Sequence, residues 1–219
     1  MLRAVLLDVN GTLTDPSAIG DAWARPDLGE RVLQHAISTA MVAALLHDVE
    51  LTFREHLSAA VDVVAAAADL DPRANARVLE SAGALPARPG AADALATLRD
   101  GNLRIVALTN SGAEAGRATL AGCGLLPLVE RVLGVDAVST FKPHPEVYAY
   151  AVSELREDPD RIALIATHPW DLAGAAHGGM RTAWVRHRPR AWPSVFPAPD
   201  VQAETLTGLA TAILAHDWQ

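Results

Sequence analysis

Five short apolar runs constrain the architecture more than any other feature of this chain. They are Arg3 to Leu7, Leu103 to Leu108, Val132 to Val135, Ile162 to Ile165 and Thr182 to Val185. Each is aliphatic or β-branched and none alternates cleanly with polar residues, the pattern of a strand covered on both faces. Helical patterns separate the later runs. Residues 90 to 100 follow Pro89 and stop at Gly101. Ser111 and Glu114 read as a capping box that opens the next helix. Pro145 opens a helix with Val147, Tyr148, Ala151 and Leu155 on one face. Strands alternating with helices predict a parallel α/β sheet.

The interval between the first two runs is nearly a whole small domain long. Residues 16 to 85 are Ala-rich, and QHAISTAMVAALL and FREHLSAAVDVVAAAADL both have helical spacing, closed by Pro72 and PARPG. The plain reading is extra helices on the flank of the sheet. An insertion at the carboxyl end of strand one instead predicts a helical cap, because open α/β sheets bind ligands at that edge. The expected division is a discontinuous core, residues 1–15 and 86–219, with a cap at 16–85. Trp23, Leu46, Phe53 and Leu57 are candidates for an apolar wall in the cap. Its Ala-rich helices bury little alone, so a homodimer formed through them is a further expectation.

Composition excludes several classes of function. The 219 residues are 50% hydrophobic and carry a net charge of −8 with no basic run, which argues against nucleic acid as a partner. AISTAMVAALL is too short to span a bilayer, and Asp8 breaks the N-terminal apolar run, so neither a membrane span nor a signal peptide is expected. The lone Cys123 reads as a small buried residue and fits a cytoplasmic location.

Four polar motifs each follow one of these strands. LLDVNGTLTD, residues 6 to 15, ends its strand in Asp8; a carboxylate there faces loop and helix-terminus N–H donors, or simply caps the Gly-Thr turn. LTNSG, residues 108 to 112, offers Thr109 and Asn110 at the same edge, or an ordinary N-cap. In STFKPHPEVY, residues 139 to 148, Lys142 is placed to reach Asp8 and hold it ionised, although most lysines lie at the surface. In ALIATHPWD, residues 163 to 171, Asp171 points toward the same centre, and His168 is either a loop histidine or a proton-handling group. No second His or Cys lies at ligand spacing, so zinc is not expected.

Asp, then Thr-Asn, then Lys, then Asp, each after a separate parallel strand, resembles the haloacid dehalogenase superfamily. DVNGTLTD, FKPHPEVY and ATHPWDLAGAA look most like its type II (L-2-)haloacid dehalogenases. The resemblance implies a Rossmann-like, doubly wound core with a cap after the first strand. It also implies that Asp8 is the nucleophile, that Thr12 and Thr109 line the site, and that Asn110 touches substrate or leaving group. Lys142 and Asp171 would support Asp8 and the water. The family's cap arginine is missing: RVLQHAIS offers Gln34 and His35 in its place. Ala166 and His168 stand where a serine and an asparagine often assist the water.

Asn10 separates the chemical readings. Phosphatases of the superfamily usually place a second Asp there to protonate the leaving alkoxide, which an amide cannot do. They also gather acids after strand four for magnesium, where this chain has Thr167. Halide leaves without a proton, so the leading reading is metal-independent dehalogenation of a small organic 2-haloacid with no cofactor. Asn10, Thr12, Thr109, Asn110 and His168 would then bind substrate. Two readings stay beside it. One is a phosphatase using magnesium held by Asp8, Asn10 and Asp171. The other is a non-catalytic member that binds a small anion.

Overall fold

A computed structural model describes residues 1–47, 50–187 and 191–218. Six parallel strands form one sheet: β1 (Ala4–Leu7), β2 (Arg104–Thr109), β3 (Arg131–Gly134), β4 (Ile162–Ala166), β5 (Arg181–Val185) and β6 (Val201–Ala203), in the order β3-β2-β1-β4-β5-β6. The order reverses between β1 and β4. That is the doubly wound arrangement, and the crevice at this reversal, beyond the carboxyl ends of the strands, is where such sheets take ligands.

The uninterrupted apolar runs are explained by what covers them. Successive residues of each strand enter opposite cores. Ala4, Leu6, Val106, Leu108, Leu164 and Trp184 pack into one, and Val5, Leu7, Ile105, Ala107, Ile165 and Val185 into the other. The second core is closed by α4 (Ala91–Asp100) and α8 (Leu206–Ala215) through Ala94, Leu95, Leu98, Leu209 and Ile213. On the first face α6 (Pro145–Leu155) and α7 (Pro169–His177) contribute Val147, Tyr148, Ala151, Leu155, Leu172 and Ala175.

Residues 16–81 leave β1 as a 3-10 turn (Pro16–Trp23) and continue as α1 (Pro26–Leu46), α2 (Phe53–Ala67) and α3 (Asn75–Ser81). A Thr52–Glu55 capping box starts α2. The Glu55 N–H donates to Thr52 Oγ1 at 3.4 Å, and the Glu55 carboxylate accepts from Thr52 N at 2.7 Å. Val32, Leu33, Ala36 and Ala40 of α1 and Leu57, Ala60, Val61 and Val64 of α2 are buried in the first core. Phe53 and His56 of α2 meet Phe141 at ring-centroid distances of 6.4 and 5.3 Å. This layer is thereby fastened to the loop that carries Lys142.

Several expectations need correction. A sixth strand, β6, follows a Pro-rich stretch and is too short to announce itself. The helix after β2, α5 (Ala113–Gly122), has Gly112 at its N-cap rather than Ser111, and Asp136 Oδ1 accepts from Ala113 N at 3.0 Å. A cap delivered from a distant loop replaces the local one. Leu46 is 67% exposed and forms no wall, whereas Phe53 and Leu57 are buried. Cys123 is half-buried, and desolvation pushes its thiol up, away from a reactive thiolate. Among the described residues no helix is long and apolar enough to cross a membrane.

Candidate active site

β1 delivers Asp8 to the reversal point, where its N–H donates to Ile165 O of β4 at 3.1 Å. The chain then turns through Gly11, whose φ is +88°. A side chain there would be strained, and its Cβ would stand 2.9 Å from His168 Cε1. Glycine therefore serves both the turn and the close approach of the imidazole. The turn is clamped from outside: Arg88 Nε donates to Gly11 O, and His187 Nε2 donates to Thr12 O, both at 2.9 Å.

Asp8 is 5% exposed, and both of its carboxylate oxygens are engaged. Oδ1 accepts from Lys142 Nζ at 2.8 Å. Oδ2 accepts from Thr12 Oγ1 at 2.6 Å and faces His168 Nδ1 at 3.1 Å. Thr12 Oγ1 in turn accepts from Thr167 N at 3.0 Å, and Trp184 Nε1 donates to Thr167 O at 3.1 Å. Burial alone would push the Asp8 carboxyl up. The Lys142 charge and the His168 hydrogen bond outweigh it and hold the group well below the usual carboxylate range.

Lys142 is wholly buried. Its ammonium donates to Asp8, to Asp171 Oδ2 at 2.7 Å and to Leu108 O at 3.1 Å, so three N–H groups meet three acceptors. Burial disfavours its charge, yet the Asp171 and Asp8 carboxylates carry the pKa above the ordinary lysine value. Asp171 is also wholly buried, and its other oxygen, Oδ1, accepts from Tyr148 Oη at 2.7 Å. Burial raises its pKa against the pull of Lys142, and burial together with the neighbouring Asp171 raises the Tyr148 phenol well above its normal value. Asp8 and Asp171 are thus joined through one ammonium.

The other predicted residues divide. Asn110 Oδ1 accepts from Lys142 N at 2.9 Å, so this amide fixes the lysine's backbone. Thr109 is buried, and its hydroxyl accepts from Ser111 N at 3.1 Å, shaping the loop after β2. Asn10 lines a cavity of about 440 Å³ with Phe53, Arg54, Leu57 and Ser111, and its buried Oδ1 has no hydrogen-bond partner. Gln34 of α1 shares with His168 and Trp170 the wall of a cleft of about 290 Å³. His35 borders neither space. Sequence reasoning missed Trp170, which stacks on His168 at 5.3 Å and carries a buried indole N–H with no partner. Its place one residue before Asp171 was the available signal. Tyr148, placed on the apolar face of its helix, also serves as a hydroxyl donor to Asp171.

The donors do not fit magnesium. The two carboxylates already share an ammonium, Asn10 supplies an amide instead of a third acid, and a hard divalent ion wants several oxygens. Among the described residues no group of three His, Cys, Asp or Glu side chains is placed to hold a metal ion.

Burial and then the nearby Arg88 hold the His187 imidazole at about 4, below its ordinary 6.5. A lowered imidazole pKa means that the unfolded chain binds the extra proton first. The protein is expected to lose stability as the pH falls from 6.5 toward 4, measured by urea unfolding. His187→Gln should flatten that slope.

A parallel α/β core with an Asp–Lys–Asp cluster at its reversal point defines a class of hydrolase, and the comparisons name the family. Residues 2–179 match the family model for haloacid dehalogenase-like hydrolases. The chain belongs to that family. It is 29% identical over 196 residues to the (S)-2-haloacid dehalogenase of Xanthobacter autotrophicus, covering 84% of this chain and 75% of that one. It is 30% identical over 184 residues to the probable phosphatase IndB of Dickeya dadantii (strain 3937), covering 82% and 79%. The solved L-2-haloacid dehalogenase from Xanthobacter autotrophicus superposes with a TM-score of 0.87 over 97% of this chain and 98% of that one, at 24% identity.

Proposed function

We propose that the protein is a metal-independent hydrolytic dehalogenase of small 2-haloacids, acting through an ester on Asp8. The observation that carries this reading is an ionised, fully oriented Asp8 carboxylate with an amide, Asn10, where a phosphatase would keep its proton donor. Asp8 attacks the halogen-bearing carbon. The carbon–halogen bond breaks with its electron pair, and halide departs without a proton. Lys142 and Thr12 fix the attacking group and Asp171 fixes Lys142. Water then attacks the ester carbonyl, releasing the hydroxy acid and one proton and restoring the Asp8 carboxylate.

Residues 16–85 act as the cap in this reading. The pocket beside Asn10 suits a small organic acid: Phe53 and Leu57 give an apolar wall, and Arg54 and Ser111 offer donors to its carboxylate. Asp8 is covered, so entry requires the α1–α2 layer to part from the sheet edge. Val42, Leu45 and Leu46, exposed near the end of α1, support self-association through this layer.

The test of the function is halide release from 2-chloropropionate or haloacetate in the presence of a chelator. Turnover unaffected by the chelator is the expected result. The likeness to a probable phosphatase favours a second reading, magnesium-dependent hydrolysis of a small phosphoester. Phosphate release that needs magnesium, with a rate that rises in Asn10→Asp and no halide from any haloacid, would replace the first reading with the second. A thermal shift with small anions and no product from either panel would mark a binding protein.

A further inference from the structure

Halide leaves without a proton, but the second half of the reaction moves one. Breaking the Asp8 ester takes a proton from water and must give one to the alkoxide of the departing hydroxy acid. Asn10 can do neither. The remaining polar groups around Asp8 can be sorted by their hydrogen bonds.

Lys142 has no lone pair to offer. Its ammonium donates to Asp8, Leu108 and Asp171, and the two carboxylates keep it protonated. Asp171 is wholly buried, with Oδ2 on Lys142 and Oδ1 on Tyr148, and meets Asp8 through the Lys142 ammonium. Thr12 is a hydroxyl that donates to Asp8 and accepts from Thr167. His168 alone has a ring nitrogen 3.1 Å from a reacting oxygen and a second nitrogen at the far edge of the same ring. That far edge lies against Gly11, where a Cβ would stand 3.2 Å from Nε2. It borders a small space of about 10 Å³ that His168 shares with Gly11, Leu33, Gln34, Thr167 and His187. This is close to the room one water needs.

We propose that His168, rather than Asp171, is the acid–base group for hydrolysis of the Asp8 ester; this rests on the reading that Asp8 forms one. In the free enzyme Asp8 is an anion, which fixes the imidazole proton on Nδ1. Esterification removes that charge. The ring then carries its proton on Nε2, exchanged through the small space, and turns the Nδ1 lone pair toward the ester. Water adds to the Asp8 carboxyl carbon. One water O–H bond breaks, its proton passes to Nδ1, and the carbonyl electron pair moves to Oδ1, where Lys142 donates. On collapse the bond from the carboxyl carbon to the ester oxygen breaks. The imidazolium returns the proton to that oxygen, the second proton of the water leaves the new Asp8 carboxyl through the imidazole to solvent, and Asp8 is again a carboxylate. Stacking on Trp170 and contact with Gly11 hold the ring in place throughout.

The test is a rapid-quench experiment with 2-chloropropionate on the wild type, His168→Ala, His168→Phe and Asp171→Asn. Intact-mass and peptide analysis locate any adduct. The His168 variants are expected to release about one halide per site in a burst and to accumulate the ester on the Asp8 peptide. Their steady turnover should fall on the order of 10²- to 10⁴-fold, the usual weight of a general base. Added imidazole should hasten ester decay in His168→Ala. Asp171→Asn, acting through Lys142, should slow the burst itself. Steady turnover in both His168 variants within about threefold of wild type, without adduct, overturns the proposal. So does ester accumulation in Asp171→Asn but not in His168→Ala. A wild type that releases halide but carries no heavy oxygen in Asp8 after one turnover in heavy-oxygen water removes the ester, and both readings fall together.

Discussion

Asp8→Asn is expected to abolish halide release, with a loss on the order of 10⁴-fold or more, while leaving the protein folded. The chemical half follows from the role of the group. An amide carries no anion to displace halide, and no neighbour stands in line to replace it, since Lys142 is a cation and Asp171 is sealed behind Lys142 and Tyr148. The structural half follows from the partners. An asparagine oxygen at the Oδ1 position still accepts from Lys142 Nζ, which also keeps Asp171 and Leu108 O. An amide nitrogen at the Oδ2 position can donate to Thr12 Oγ1, or to His168 Nδ1 once the imidazole carries its proton on Nε2. One buried anion is removed and no ammonium is left unpaired, so stability should change little compared with activity. Halide assay and circular dichroism on the same preparation check both halves. Full turnover in Asp8→Asn would end the aspartyl mechanism, whereas an unfolded variant would assign Asp8 a structural duty first.

The groups legible in the sequence are those fixed by strand ends. A parallel strand covered on both faces meets polar surroundings at its ends, and Asp8, Thr167 and Asn110 sit at the carboxyl end because β1, β4 and β2 stop there. Lys142 and Asp171 were legible for the same reason: each follows a strand at short range and must turn back toward β1. What was not legible depends on contacts between distant loops. Asn110 reads as a substrate ligand, and its Oδ1 also accepts from the backbone of Lys142. Thr109 reads the same way, and its hydroxyl also accepts from Ser111 N. Asp136 caps a helix that the local Ser111–Glu114 pattern claims for itself, because a carboxylate from the loop after β3 reaches Ala113. Arg88 and His187, which clamp the Gly11–Thr12 turn, lie 77 and 175 residues from the carbonyls they bind. No local periodicity carries such information. The substitution of Asn10 for an acid was visible at once. Its consequence, that a proton must come from elsewhere, needed the imidazole's position.

Lys142→Met should cost about 3–5 kcal/mol of stability at neutral pH as well as most of the activity, because it strips the shared counter-ion from two buried carboxylates. Methionine matches the aliphatic stem in volume, so the loss reports charge and not a cavity. The pH dependence distinguishes this cause from general misfolding. In the wild type the depressed Asp8 pKa contributes stability that is complete above the normal carboxylate range and is lost only in strong acid. Without the ammonium, burial dominates at both Asp8 and Asp171, and their folded pKa values rise above the unfolded ones. A carboxyl raised in this way stabilises the fold at low pH and loses that contribution as the pH climbs through its folded value. Relative to the wild type, which loses stability there through His187, the variant is therefore expected to recover stability between about pH 7 and about pH 5. Urea unfolding at the two pH values, with halide release measured alongside, reads out the difference. A penalty below about 1 kcal/mol with no pH dependence would mean that the ammonium is screened as a surface pair is, contrary to its complete burial between Asp8 and Asp171.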